Sequence, residues 1–246
     1  SNLLLSEDVI STLNCLKKLG VKIKISKKFC MIRGLGLNGF KYKENLILNA
    51  GNSGTLGRLI LGLLVHSKKK IKLKGDISLS KRDFIRVIKP LKKFGAKFNS
   101  NYGKLPIKIQ GTNFTKPIKY FENKGSAQCK SAVMFAALNT FGETIIKAKK
   151  SRDHTELLFK YLKLPIKITK REKYDIIKIT GKHNIPALNY KIPSDISSAA
   201  FFIVLTALTK NSSLKIKNVN INPSRMGVFY ILKLMGIKIS KSNIKN

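Results

Sequence analysis

Two kinds of helical pattern alternate along the chain. In the first, apolar residues recur at helical spacing on one face, as Val9, Leu13 and Leu16 do, or Phe84, Val87, Ile88 and Leu91. Four segments carry it. They run from Ser6-Glu7-Asp8 through Leu19-Gly20-Val21-Lys22-Ile23, and from Lys81-Arg82-Asp83 through Phe94-Gly95-Ala96-Lys97-Phe98. The third runs from Ser151-Arg152-Asp153 through Leu162 to Ile166-Lys167-Ile168, and the fourth from Pro223-Ser224-Arg225 through Met235-Gly236-Ile237-Lys238-Ile239. Each opens on a polar cap. Three close on a glycine and a short strand; in the third, Leu164-Pro165 stands in the glycine's place. Their starts lie roughly seventy residues apart, which marks an internal repeat.

The second pattern is apolar almost all round, behind a start of small polar residues. It occurs as GNSGTLGRLILGLL (51–64), as GSAQ followed by CKSAVMFAALN (125–139), and as SDISS followed by AAFFIVLTAL (194–208). A helix of this kind must be buried. Each is followed by a turn and an alternating strand, at Lys70–Lys74, Glu143–Lys147 and Ser213–Asn218. The repeating unit is therefore buried helix, strand, amphipathic helix, then one or two strands. Helices apolar on all sides need sheets outside them, and strands alternating Lys with Ile suit a sheet with one wet face. The predicted fold is α/β with inside-out repeats, buried helices within and sheets facing solvent. The helix N-termini are expected to gather at one end of a domain. Both ends of the chain cut through a unit, so the chain reads as a fragment. Residues 1–192 form most of a first domain whose start is missing, and 193–246 begin a truncated second one.

Composition changes this picture little. The chain has 246 residues, 49 Lys and Arg against 12 Asp and Glu, and a formal net charge of +37. The excess is nearly all Lys, spread evenly among Ile and Asn, as in KKKIKLKG. A nucleic-acid footprint would be clustered, Arg-rich or interleaved with exposed aromatics, so no nucleic-acid partner is expected. A basic cleft suits an anionic substrate equally well. No apolar run has the length of a membrane span, and SNLLLSEDV lacks the features of a secretory signal. Cys15, Cys30 and Cys129 are scattered and odd in number, which fits reduced thiols in a cytoplasmic protein rather than a disulfide framework or metal cluster.

The chemistry resides in the starts of the buried helices. A helix N-terminus behind Asn52, Ser53, Gly54 and Thr55 offers bare N–H donors and the positive end of a dipole to an anion, and Gly54 lets it approach the backbone. Taken alone, that stretch is better read as a capped core helix with no ligand; the same construction made twice more along the chain shifts the reading towards an anion site.

The motifs occur in one order: LLLSEDVISTLNCLKKLGV, GNSGTLGRL, GDISLSKRDFIRVIKPLKKFGA, KGSAQCKSA, SRDHTE, and PSDISSAAFF followed by NINPSRMG. Together they resemble the 5-enolpyruvylshikimate-3-phosphate synthase family over essentially the whole chain. The resemblance implies a two-domain enolpyruvyl transferase that closes on its substrates and is monomeric at full length. It implies transfer of the enolpyruvyl group of phosphoenolpyruvate to the 5-hydroxyl of shikimate 3-phosphate, releasing phosphate, with no metal and no organic cofactor. Matched position by position, the phosphoenolpyruvate site takes Gly54, Arg82 and Gln128, with Asn52, Thr55 and Arg58 supporting that loop. The shikimate 3-phosphate site takes Ser126, Ala127, Gln128, Ser151 and Arg152. SRDHTE also reads as an N-capping box, Ser151 or Asp153 with Thr155 and Glu156. His154 reads as surface or structural, and Asp195 as a helix cap and hinge element.

The sequence departs from the complete family pattern. The N-terminal Lys-Ser and Arg stretch is absent, as are the second-domain carboxylates, Lys and Arg that supply acid–base work. No catalytic residue is therefore assigned within the chain, and it is expected to be inactive alone. The sister transferase acting on UDP-N-acetylglucosamine places a Cys before the equivalent of Arg82, where this chain reads Gly75-Asp76-Ile77-Ser78-Leu79-Ser80. That sister, a basic nucleic-acid-binding module, and a half-protein that pairs with a separate partner are the competing readings.

Overall fold

The computed structural model describes residues 3–26, 29–37 and 39–244, in two compact units, Ser1–Ala187 and Leu188–Asn246. The first unit opens with α1 (Glu7–Lys18) and the antiparallel pair β1 (Lys22–Ile25) and β2 (Cys30–Arg33). Two copies of one unit follow. The first is β3 (Leu46–Asn49), α2 (Gly54–Leu64), β4 (Ile71–Lys74), the short α3 (Ile77–Ser80), α4 (Ile85–Lys93), β5 (Lys97–Asn101) and β6 (Lys104–Gln110). The second is β7 (Lys119–Glu122), α5 (Ala127–Leu138), β8 (Glu143–Lys149), α6 (His154–Tyr161), β9 (Ile166–Lys170) and β10 (Tyr174–Thr180).

The two sheets share one topology. Their strand orders are β3-β4-β6-β5 and β7-β8-β10-β9, each with a parallel first pair and antiparallel pairs after it. The sequence reading missed the leading strands β3 and β7, each only four residues long and paired in parallel with a strand that lies beyond the next helix. Burial alternates along β6 and β8, so each sheet keeps one wet face. The buried faces close over α2 and α5. Helix α5 buries every residue from Cys129 to Leu138 except the half-buried Phe135. One core cluster runs from Leu48, Leu61 and Leu64 through Leu91 and Phe94 to Val133, Ile146 and Ile177. This is the inside-out α/β arrangement expected from the pattern.

Gly62 lets α2 and α5 approach closely. A Cβ there would lie 2.1 Å from the Ala132 carbonyl oxygen. The first three turns of the amphipathic type end as expected or nearly so. Gly20 and Gly95 adopt positive φ (89° and 106°), and in the third the left-handed position is Lys163 (φ 53°), one residue before Leu164-Pro165.

The second unit contains α7 (Ile196–Leu208), a 3-10 turn at Pro223–Arg225 and α8 (Gly227–Leu234). Two expectations fail here. Ser213–Asn218 and Ile237–Ile239 form no ladder; the pairing among described residues of this unit is a single bridge, Ser194 with Val219. Nor is α7 buried, since Phe201 is 79% exposed and Leu208 81%. Both follow from one cause: the described part of this unit has no sheet to take the strands or cover the helix.

Candidate anion site at two helix N-termini

Helices α2 and α5 begin in the same way. Ser53 caps α2, its hydroxyl accepting the Leu56 N–H at 3.2 Å, and the first backbone helical bond is Gly57 N–H to Ser53 O. Ser126 caps α5, its hydroxyl accepting the Cys129 N–H at 3.3 Å, and the first backbone helical bond is Lys130 N–H to Ser126 O. The amides of Gly54 and Thr55, and those of Ala127 and Gln128, therefore precede the ladder, at the positive ends of two dipoles. Neither helix carries an acidic residue in its first turn. Anions are favoured at both.

Gln128 joins the two starts. Its Nε2 donates to Thr55 Oγ1 at 2.8 Å, and its Oε1 accepts from Arg58 Nη1 at 2.9 Å. Arg58 Nη1 also reaches the Gly54 carbonyl (3.3 Å), and the guanidinium lies 5.1 Å over the Phe84 ring. Arg82 arrives from the turn between α3 and α4. A Cβ at Gly54 would stand 2.9 Å from Arg58 Nη1 and 3.0 Å from Arg82 Nη1, so both cations overlook that glycine. Burial lowers the Arg58 pKa, Cys129 opposes this, and the cations Arg86 and Arg82 lower it further. Positive charge is crowded here, and an anion would relieve it.

The loop before α2 is held from outside. Asn52 Nδ2 donates to Asp76 Oδ2 at 2.6 Å, and Asp76 Oδ1 accepts the Leu79 N–H at 2.6 Å. The Leu79 and Asn52 hydrogen bonds hold the Asp76 carboxyl below its ordinary pKa. The loop before α5 is held from inside. Glu122, at the end of β7 and 3% exposed, accepts the Lys124 N–H (3.2 Å) and the Ser126 N–H (2.8 Å).

A family model for EPSP synthase (3-phosphoshikimate 1-carboxyvinyltransferase) matches residues 1–246. The chain belongs to the EPSP synthase family. A 3-phosphoshikimate 1-carboxyvinyltransferase of Vesicomyosocius okutanii is 46% identical over 244 residues, 99% of this chain and 55% of that protein. One of Caldicellulosiruptor saccharolyticus is 42% identical over 247 residues, 99% of this chain and 56% of its own length. The solved EPSP synthase of Acinetobacter baumannii superposes with a TM-score of 0.82 at 37% identity, covering 95% of this chain and 52% of that one. The chain thus spans about half the length of the relatives it matches.

Within this EPSP synthase family chain, the structure brings Gly54, Thr55, Arg58, Arg82 and Gln128 into one cluster, with Asn52 bracing its loop. Ser126 and Ala127 stand at the start of α5 in the same cluster. Ser151 and Arg152 lie beside that start: a Cβ at Gly125 would be 3.4 Å from the Lys150 carbonyl, and Lys130 Nζ donates to the Arg152 carbonyl at 3.0 Å. The Ser151 hydroxyl is buried and has no hydrogen-bond partner among the described residues. The N-capping box does not form. Asp153 holds the N-cap position of α6 without a side-chain cap bond, and Glu156 is drawn away to Lys130. His154 is exposed. Asp195 caps α7, accepting the Ser197 N–H at 3.1 Å and Arg225 Nη2 at 3.1 Å.

Sequence reasoning missed the roles of Asp76, Glu122 and Lys130, and gave Glu156 to a capping box where the structure pairs it with Lys130. Lys130 had a visible signal, a lone cation inside CKSAVMFAALN. Among the described residues, no group of three or more His, Cys, Asp or Glu could hold a metal. No helix among them is long and apolar enough to cross a membrane.

Proposed function

We propose that this chain is the substrate-binding half of a 3-phosphoshikimate 1-carboxyvinyltransferase. The observation that carries the proposal is the Thr55–Gln128–Arg58 bridge, which fuses two bare helix N-termini into one donor-rich site. Two phosphorylated substrates need two adjacent anion sites, and a bridge that joins two helix N-termini supports such a pair. The phosphate of phosphoenolpyruvate sits on the Gly54 amide between Arg58 and Arg82, where guanidinium and backbone donors converge. The phosphate of shikimate 3-phosphate sits on the Ala127 and Gln128 amides, with the Ser126 hydroxyl free to donate its proton. Ser151 and Arg152 flank it. Gln128 keeps one N–H and one lone pair beyond the bridge, enough to touch both substrates.

In the reaction, the 5-hydroxyl adds to C2 of phosphoenolpyruvate and phosphate is then eliminated. The residues here bind, orient and balance the phosphate charge as it leaves. Acid–base groups belong to the part of the relatives that this chain does not match. Residues 1–192 are most of the first domain and 193–246 open the second, with Asp195 as cap and hinge. The complete enzyme is cytoplasmic and monomeric, uses no metal or cofactor, and binds no nucleic acid. The named relatives favour this reading over the UDP-N-acetylglucosamine transferase.

The test is isothermal titration of the purified chain with shikimate 3-phosphate, shikimate and duplex DNA. Saturable binding of shikimate 3-phosphate alone supports the proposal. Equal binding of shikimate, or binding dominated by DNA with a steep salt dependence, contradicts it.

A further inference from the structure

Besides Glu122, two buried charges among the described residues of the first unit lie just behind the proposed shikimate 3-phosphate site. Lys130 is 2% exposed and Glu156 3%, and Lys130 Nζ lies 2.5 Å from Glu156 Oε1. Removing two charges from water is costly, and a pair of apolar residues would hold α5 to α6 at least as well. The pair therefore calls for a reason beyond packing.

Geometry supplies one. Lys130 stands four residues after Ser126, hence on the same face of α5 one turn behind the cap. From there its ammonium also donates to the Arg152 carbonyl at 3.0 Å. Residues 150–153 leave β8, which runs parallel to β7, with Glu122 opposite Ala148 in the register. The two loops, one before α5 and one before α6, thus emerge side by side. Glu122 fixes the first through the Ser126 amide. Lys130 fixes the second through the Arg152 carbonyl, and Glu156 holds Lys130 in place. A backbone carbonyl one residue past Ser151 sets where that unpartnered hydroxyl and the Arg152 side chain stand.

We propose that Lys130 and Glu156 are positioning residues for shikimate 3-phosphate, locking the Ser151–Arg152 arm in register with the Ser126–Gln128 arm. The inference rests on the functional reading above. The two arms come from separate loops and would otherwise move independently. A displacement of an ångström between such groups costs roughly tenfold to a hundredfold in function.

The experiment titrates shikimate 3-phosphate into the wild-type chain and three variants, with thermal unfolding measured on each. Lys130→Met/Glu156→Met removes the lock and restores packing. It is expected to unfold as the wild type does and to bind about tenfold or more weakly. Lys130→Arg keeps the charge pair, but the larger, planar guanidinium meets the Glu156 carboxylate and the Arg152 carbonyl from a different position than the compact ammonium, which shifts the Ser151–Arg152 arm. It is expected to bind several-fold more weakly, and it carries the test if the double variant does not fold. Ser131→Ala breaks the 2.7 Å hydrogen bond to Thr155, another α5–α6 tie, and leaves Lys130 untouched. It is expected to lower stability and leave affinity unchanged. Wild-type affinity in the folded Lys130 variants overturns the positioning role. Absence of shikimate 3-phosphate binding by the wild-type chain overturns the functional reading and this inference with it.

Discussion

Two glycines on one helix should respond oppositely to the same substitution. At Gly62 an added methyl would meet the Ala132 carbonyl oxygen at 2.1 Å, more than an ångström short of ordinary contact. That oxygen belongs to the backbone of α5, so the helices must part. Alanine gains about 1 kcal/mol in helix propensity over glycine, but overpacking costs about 1–3 kcal/mol, and a backbone collision falls at or above the top of that range. Gly62→Ala should lose about 2 kcal/mol, which for a chain of this size lowers Tm by about 4–8 °C. At Gly54 the neighbours are Arg58 Nη1 (2.9 Å) and Arg82 Nη1 (3.0 Å), the far ends of long side chains and not backbone. They can give way by a few tenths of an ångström. Gly54→Ala should therefore stay within about 1 kcal/mol of wild type in stability. Its methyl group, however, stands where the phosphate of phosphoenolpyruvate is proposed to sit. Affinity in the presence of shikimate 3-phosphate should fall about tenfold or more, or about 1.4 kcal/mol. Urea unfolding followed by circular dichroism reads the first effect and calorimetric titration the second. A Gly62→Ala chain as stable as wild type would refute the close helix approach. An unfolded Gly54→Ala chain would refute the flexible cradle.

Other outcomes follow from the same geometry. Gln128→Glu sets a carboxylate at the 2.9 Å contact with Arg58; the chain should remain folded, but anion affinity should fall about tenfold because a cation is neutralised in advance. The His66 pKa is lowered by burial, against the Ala136 hydrogen bond and with help from Lys182. Its stabilising effect is then complete above the unfolded pKa of about 6.5 and lost as pH falls through the lower folded value, so stability should decline from pH 7.5 towards 5.5. His66→Gln should flatten that slope in urea titrations. Cys15 and Cys129 are buried, and burial raises both thiols above their ordinary pKa. A thiol reagent should modify Cys30 first and reach the other two only on unfolding. A phosphate-release assay should find no turnover by this chain alone.

The helical periods and the glycines that end them were legible in the sequence because they are local. Gly20 and Gly95 follow directly from the need for a left-handed residue after a helix. The polar starts of α2 and α5 were legible for the same reason. What periodicity could not show is which strands pair: β3 and β7 take their places from partners elsewhere in the chain. The failures at Ser213–Asn218 and α7 have the same root. A strand or a buried helix is defined by its cover, and alternation or apolarity alone does not supply one. At the site, the motif residues were found through their resemblance to a family. Of their supports, Asp76 and Glu156 reach partners distant in sequence, Asn52 and Lys130, whereas Glu122 holds the neighbouring Lys124 and Ser126 amides and belongs to no motif that would have singled it out. The Gln128 bridge spans 73 positions to Thr55, and no local rule reaches so far.

The most direct test of the twin-helix anion site is an amide map of the chain by nuclear magnetic resonance during titration with shikimate 3-phosphate and then phosphoenolpyruvate. The account predicts that the first ligand shifts the amides of Ser126, Ala127, Gln128 and Ser151, and that the second shifts those of Gly54 and Thr55. Shifts confined to the lysine-rich strands, or identical shifts with plain sulfate at equal concentration, would contradict it.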